Sequence, residues 1–128
     1  MALPALMAIL VTVNAERNAR GVAPLVEDAC LSAVAAARAQ DMVNRDYFSH
    51  ITPDGRTPWD AMQSQGCSMR HFAGENIAEA DDVSDALTLL WNSAEHRANT
   101  LDAHYRKIGV GIATRPDGTE VVVEDFSG

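Results

Sequence analysis

The C-terminal stretch constrains the fold most. Ile108-Gly-Val-Gly-Ile-Ala-Thr alternates with a period of two, Arg115-Pro116-Asp117-Gly118 has the chemistry of a tight turn, and Thr119 to Phe126 reads as the returning strand. A hairpin of this kind commits the chain to an antiparallel sheet, whose apolar face must be covered. The segments upstream supply the cover. Leu6, Ile9, Leu10 and Val13 recur at helical spacing behind Pro4, and Gly21 is a suitable stop. A second helix starts near Asp28, with Leu31, Val34, Ala35, Arg38 and Met42 on one face. Thr57-Pro58-Trp59-Asp60 is a cap, a first-turn proline and a carboxylate that reaches back, and the short helix it opens ends at Gly66. Phe72 to Ala80 reads as a strand. Val83, Ala86, Leu87, Leu90 and Trp91 form a fourth helix behind Asp81-Asp82, and Ser93 is positioned to cap a short fifth one. Helices, a strand, helices and a hairpin give an α+β class with helices packed on the faces of an antiparallel sheet. The 128 residues fit one domain, 1–128.

The chain carries a net charge of -8, and its ten Lys and Arg are scattered. A nucleic-acid partner is therefore not expected, because a duplex is bound through clustered basic residues. An acidic surface is equally unsuited to anionic membranes. No apolar run reaches transmembrane length. The apolar start, Met1 to Val11, has no positive n-region and reads as helix rather than as a leader. Cys30 and Cys67 stand outside any C-x-x-C pattern. They are either a disulfide or two buried thiols, according to compartment.

Chemistry concentrates in Ser49-His50, Gly74-Glu75-Asn76 and Ser93-Ala94-Glu95-His96-Arg97-Ala98-Asn99. Two imidazoles and one or two carboxylates that converge can bind a divalent cation or move a proton. Glu75, in an apparent strand, needs a partner wherever it is buried, so a structural salt bridge is the alternative to a ligand role. His96 falls in the first turn of its helix, where the dipole disfavours imidazolium and so favours the neutral ring that binds metal. Arg97 and Asn99 read as clamps for a neighbouring loop, and His71 and His104 as solvated. H-E-x-x-H, nucleophile-elbow, P-loop and dinucleotide motifs are all absent.

At these residues the chain resembles the CAP superfamily, the group of cysteine-rich secretory proteins, antigen 5 and pathogenesis-related proteins, and more closely its bacterial SCP-like branch. The resemblance is carried by Asn14-Ala-Glu-Arg-Asn-Ala-Arg-Gly-Val-Ala-Pro-Leu, Asp41-Met42 leading to Phe48-Ser49-His50, Pro53-Asp54-Gly55-Arg56-Thr57-Pro58, Gly74-Glu75-Asn76-Ile77-Ala78, Ser93 to Asn99 and Ile108-Gly-Val-Gly-Ile-Ala, in the family's order. It implies an α-β-α sandwich with a central antiparallel sheet, and a cleft bearing two His and two acids. His50, Glu75 and His96 match that tetrad. The second acid does not fall into place. Ala94 stands where a glutamate is common and Glu95 follows it, and one residue on a helix rotates a side chain by about 100°. Trp91 also stands one place nearer His96 than is usual.

The resemblance implies a secreted protein, extracellular or periplasmic, without a single agreed activity. Three functions follow as expectations. The preferred one is a non-enzymatic ligand-binding module whose His50 and His96 hold Zn²⁺ or another divalent cation, with Glu75 and Glu95 in the cleft. Its ligand would be a lipid or an envelope component, and the protein a monomer. The second is a structural or interaction domain with a vestigial cleft. The third is a metal-dependent hydrolase with Glu75 as general base.

Overall fold

The computed structural model describes residues 2–69 and 71–128. In chain order the elements are α1 (Ala2–Ala19), β1 (Val26–Glu27), α2 (Ala29–Asn44), α3 (Pro58–Gln65), β2 (Ala73–Ala80), α4 (Val83–Asn92), α5 (Ala94–Leu101), β3 (Lys107–Thr114) and β4 (Glu120–Ser127). The sheet order is β1-β3-β4-β2. β3 and β4 form the expected hairpin, with unbroken register from Lys107↔Ser127 to Thr114↔Glu120. β2 pairs antiparallel with the far side of β4, from Ala73↔Ser127 to Ala80↔Glu120. β1 is an addition to the expected pattern: Val26 and Glu27 pair parallel with Lys107 and Ile108.

Strand alternation divides the core into two layers. Ile108 and Val110 of β3, Val122 and Phe126 of β4 and Ala78 of β2 face Ile9 and Val13 of α1 and Ala86 and Leu90 of α4. Ala113, Val121, Val123 and Ile77 face Ala35, Ala39 and Met42 of α2. The helices therefore lie on both faces of the sheet. On the α2 face, β3 presents Gly109 and Gly111. A Cβ on Gly109 would fall on the backbone of Leu31, and one on Gly111 on that of Ala35. Helix and strand backbones meet there because neither glycine carries a side chain.

The local signals act as their chemistry dictates. Asp28 caps α2 by accepting from Leu31 N–H, and Asp82 caps α4 by accepting from Asp85 N–H. Thr57 and Asp60 form a reciprocal capping box at α3, which ends on left-handed Gly66. Ser93 occupies the N-cap position of α5, but its side chain makes no cap hydrogen bond. Cys30, in the first turn of α2, is disulfide-bonded to Cys67 just beyond α3. Asn14 of α1 pairs reciprocally with the Leu25 backbone, donating at 3.0 Å and accepting at 2.8 Å. Arg17, fully buried, donates to the carbonyls of Ala23, Thr100 and Asp102 and so ties α1 to the end of α5. Among the described residues no helix is long and apolar enough to cross a membrane.

Candidate functional site

β2 is an edge strand, and its consecutive residues Glu75 and Asn76 point to opposite faces of the sheet. On the α2 face, Arg38 is a cation on an otherwise apolar helix stripe. It meets Glu75 in a two-pronged pair, with Nε to Oε2 at 2.6 Å and Nη2 to Oε1 at 2.8 Å. The side chains are 4% and 1% exposed. Fork-to-carboxylate geometry of this kind is strong and directional. Arg38 Nη2 also donates to the carbonyls of Ser49 and His50, at 3.2 and 3.1 Å, which fixes the loop after α2. A turn in which Thr52 Oγ1 accepts from Arg56 N–H, with Gly55 at φ +84°, closes that loop.

His50 is thereby aimed at Glu75, with Nδ1 and Oε1 2.8 Å apart. Burial works to raise the Glu75 pKa, but hydrogen bonds from His50 and Arg38 outweigh it and hold the group below its usual range. Glu75 is thus a carboxylate, and His50 Nδ1 donates to it from a side chain that is 48% exposed, which leaves Nε2 as the ring nitrogen without that bond. A carboxylate behind an imidazole is the arrangement that orients a metal-binding or proton-accepting histidine.

His96 comes from the opposite layer, on α5. Asn76 Nδ2 donates to the His96 carbonyl at 3.0 Å, and Asn99 Nδ2 donates to Asn76 Oδ1 at 2.9 Å. The His96 ring is half-buried, and its Nδ1 is enclosed without a partner. Burial first, and the nearby His50 ring second, push its pKa down, with Glu95 opposing. The ring is therefore neutral, chiefly through desolvation rather than through the helix end. His96 is therefore near enough to His50 to feel its charge. Glu95 is exposed, and among the described residues it makes no hydrogen bond to His50, Glu75 or His96.

The sequence reading did not assign three polar groups of this region. Arg38 was visible only as a member of the α2 face. Asp125 lies opposite Glu75 in the β2–β4 register and is fully buried. As a carboxylate it would have no donor for either oxygen. Burial first, and the Glu75 charge second, hold it well above the usual range and so favour its neutral acid form. Glu124, on the other face, accepts from Asn76 at 3.2 Å. Burial pushes it up to about 7. It borders a cavity of about 340 Å³ between α1 and α4. Their signal was a charge at a core position of an apolar element, which demands a partner.

The remaining side chains settle simply. Asn99 clamps β2 rather than a loop, donating also to the Glu75 carbonyl at 3.4 Å. Arg97 donates to the Trp91 carbonyl and lies over the Trp91 ring. His71 is exposed, and His104 is exposed but stacked on Phe72 and bonded to Asp102.

The cysteine-rich secretory protein (CAP) family profile matches residues 10–126. The uncharacterized protein YkwD of Bacillus subtilis is 42% identical over 99 residues, 77% of this chain and 38% of its own length. An extracellular protein containing a SCP domain from Bacillus anthracis superposes with a TM-score of 0.88 at 29% identity, over 97% of this chain and 40% of that one. An outer surface protein of Borrelia burgdorferi shares the fold, with a TM-score of 0.90 at 17% identity, over 99% of this chain and 94% of that one. The chain thus spans about two fifths of the two Bacillus relatives. With the family profile covering nearly all of its length and a bacterial relative 42% identical, the chain belongs to the cysteine-rich secretory protein family, on its bacterial side.

Proposed function

We propose that this domain is an extracellular or cell-envelope binding module, and that its cleft offers a divalent cation two imidazoles, through Nε2 of His50 and of His96. The observation that carries this reading is the state of Glu75. Its carboxylate is already held by both prongs of Arg38 and by His50. A carboxylate held below its usual range by such partners is a poor general base, and a good anchor for an imidazole. This favours binding over hydrolysis.

The donor set suits a cation such as Zn²⁺, with limits. Neutral imidazole is the form zinc takes. Among the described residues no three His, Cys, Asp or Glu cluster to hold a metal. Two protein ligands would leave open positions and give modest affinity. When bound, the metal would supply a Lewis-acidic point for a ligand's carboxylate or phosphate. Glu75 and Arg38 would keep the His50 ring aligned. The extracellular and outer-surface relatives and the Cys30–Cys67 disulfide support the compartment.

Thermal unfolding at pH 7.5 with and without Zn²⁺ tests this. At a concentration of ~100 Kd the expected gain is about 2.7 kcal/mol, and His50→Ala or His96→Ala should abolish it. Both rings must be neutral to bind, so the gain should shrink as pH falls from about 7 to about 5. No shift for the unaltered protein at pH 7.5 would leave the vestigial-cleft reading, which the exposed position of Glu95 favours.

A further inference from the structure

Most described basic side chains are already held. Arg20, Arg38, Arg45 and Arg115 each face a carboxylate, and Arg17 is buried among carbonyls. The start of β3 departs from this. Arg106 and Lys107 follow one another there, and both are exposed. Arg106 Nη1 donates to the Ala103 carbonyl at 3.0 Å, and among the described residues Arg106 has no carboxylate partner. Lys107 Nζ is 3.8 Å from Asp28 Oδ1, too far for a hydrogen bond. On a chain with a net charge of -8, this is a local reversal of sign.

The same two residues line an open cavity of about 520 Å³ where β2 begins and β4 ends, within the size range of small-molecule sites. Phe72 and His104 form another of its walls. Their rings stack with centroids 4.2 Å apart and planes inclined by 22°, and both residues are exposed. His104 Nδ1 lies 2.8 Å from Asp102 Oδ1, which holds the ring in place. His71 adds a second imidazole. Ser127 stands directly opposite Lys107 in the β3–β4 register, and its hydroxyl is enclosed without a partner. Among the described residues, none of the side chains lining the cavity is acidic. Two cations beside two imidazoles, with no acid among them, favour a negative occupant. The aromatic pair favours one with a flat ring, which can extend the stack.

We propose that this cavity binds a small aromatic anion, with its carboxylate or phosphate against Arg106 and Lys107 and its ring against Phe72 and His104. Guanidinium and ammonium groups recognise such oxyanions through charge-assisted hydrogen bonds. The site shares no residue with the cleft at His50 and His96, so it stands or falls apart from the metal reading.

The probes are phenyl phosphate and benzoate, titrated into the protein at pH 7.5 in low salt. At least one should bind with a Kd of ~1 mM or tighter, and the tighter of the two names the head group. The amide NMR signals of Phe72, His104 and Ser127 should move as it binds. Arg106→Gln and Lys107→Gln should each weaken it about tenfold. Both positions are exposed, so the fold should survive, and thermal unfolding checks this. Inorganic phosphate and acetate carry the charge without the ring, and should bind about fivefold more weakly than their aromatic counterparts. Arg56→Gln, which removes an exposed charge just before α3, should change nothing. Absence of binding by both probes at ~10 mM overturns the proposal. So does equal binding by phenol, which has the ring without the charge, or by the ringless anions. An equal loss in Arg56→Gln would show attraction to charge at large rather than to this cavity, and would also overturn it, as would signals that move only elsewhere.

Discussion

Replacing Arg38 by Met should be among the most damaging single changes in the chain. It removes both prongs from Glu75, whose side chain is 1% exposed, and it releases the carbonyls of Ser49 and His50. Breaking one side of a buried pair costs about 3–5 kcal/mol, because the remaining charge is left in a poor dielectric. Unfolding entropy of about 2.1 cal/mol/K per residue over this length is about 0.27 kcal/mol/K, so the melting temperature should fall by about 11–19 °C. The double variant Arg38→Met, Glu75→Gln buries no charge at either position and should recover more than half of the loss. pH gives a second handle. In the unaltered protein the folded pKa of Glu75 is depressed, so its contribution is present above the unfolded value and is lost as pH falls through the folded one. Without Arg38 that pKa rises, and acid then favours the folded variant. The gap between the two proteins should be widest near pH 7 and narrower near pH 4.5. Urea unfolding at both pH values reads this directly. A loss under about 1 kcal/mol at pH 7, or a double variant no better than the single one, would refute the view of Glu75 as a buried charge held by Arg38.

Three further outcomes follow from the same structure. The Glu124 pKa is raised from 4.5 to about 7, so its stabilisation is complete below the unfolded value and is lost as pH rises through about 7. Thermal unfolding of Glu124→Gln should lack that alkaline slope and exceed the unaltered protein by about 3 kcal/mol above pH 8. Gly111→Ala places a methyl on the Ala35 backbone and should lower stability by about 1–3 kcal/mol in urea titration, as overpacking does. Reducing the disulfide, which spans 37 residues, should cost about 2–4 kcal/mol, and the denatured, non-reduced protein should show no free thiol.

The elements with strong local chemistry were legible before the structure. The α3 capping box, the start of α2 near Asp28 and the β3–β4 hairpin each rest on residues within a few positions of one another. β1 was not legible, because two exposed residues carry no alternation and their partner lies some eighty positions away. The same divide runs through the site. Histidines and a strand carboxylate are rare enough to draw attention, and His50 and Glu75 do meet. The salt bridge weighed as the alternative for Glu75 is also present, with Arg38 as its partner. Its cation was hidden in plain view on an apolar face. Asp125 and Glu124 were harder to see. β4 is buried on both faces, so its pattern could not say which acid joined which layer.

The central point of the site is the alternation of β2. Gly74 has no side chain because the Tyr105 ring lies where a Cβ would be. Glu75 turns to the α2 layer and holds Arg38 and His50. Asn76 turns to the other layer and holds the His96 carbonyl and Glu124. Glu75 and Asn76 thus fasten one strand to both helical layers, with the His50 ring bonded on one face and the His96 backbone on the other. Any change that slips this register by one residue would exchange the two faces. It would put Glu75 among Asn99 and Glu124, away from Arg38. The stability of the buried charge and the alignment of the cleft therefore depend on one register. An Arg38 variant should disturb the His50 ring even where the fold survives. NMR of the His50 side chain in Arg38→Met, Glu75→Gln reads this without any metal. A ring environment identical to that of the unaltered protein would show that the loop holds His50 in place unaided.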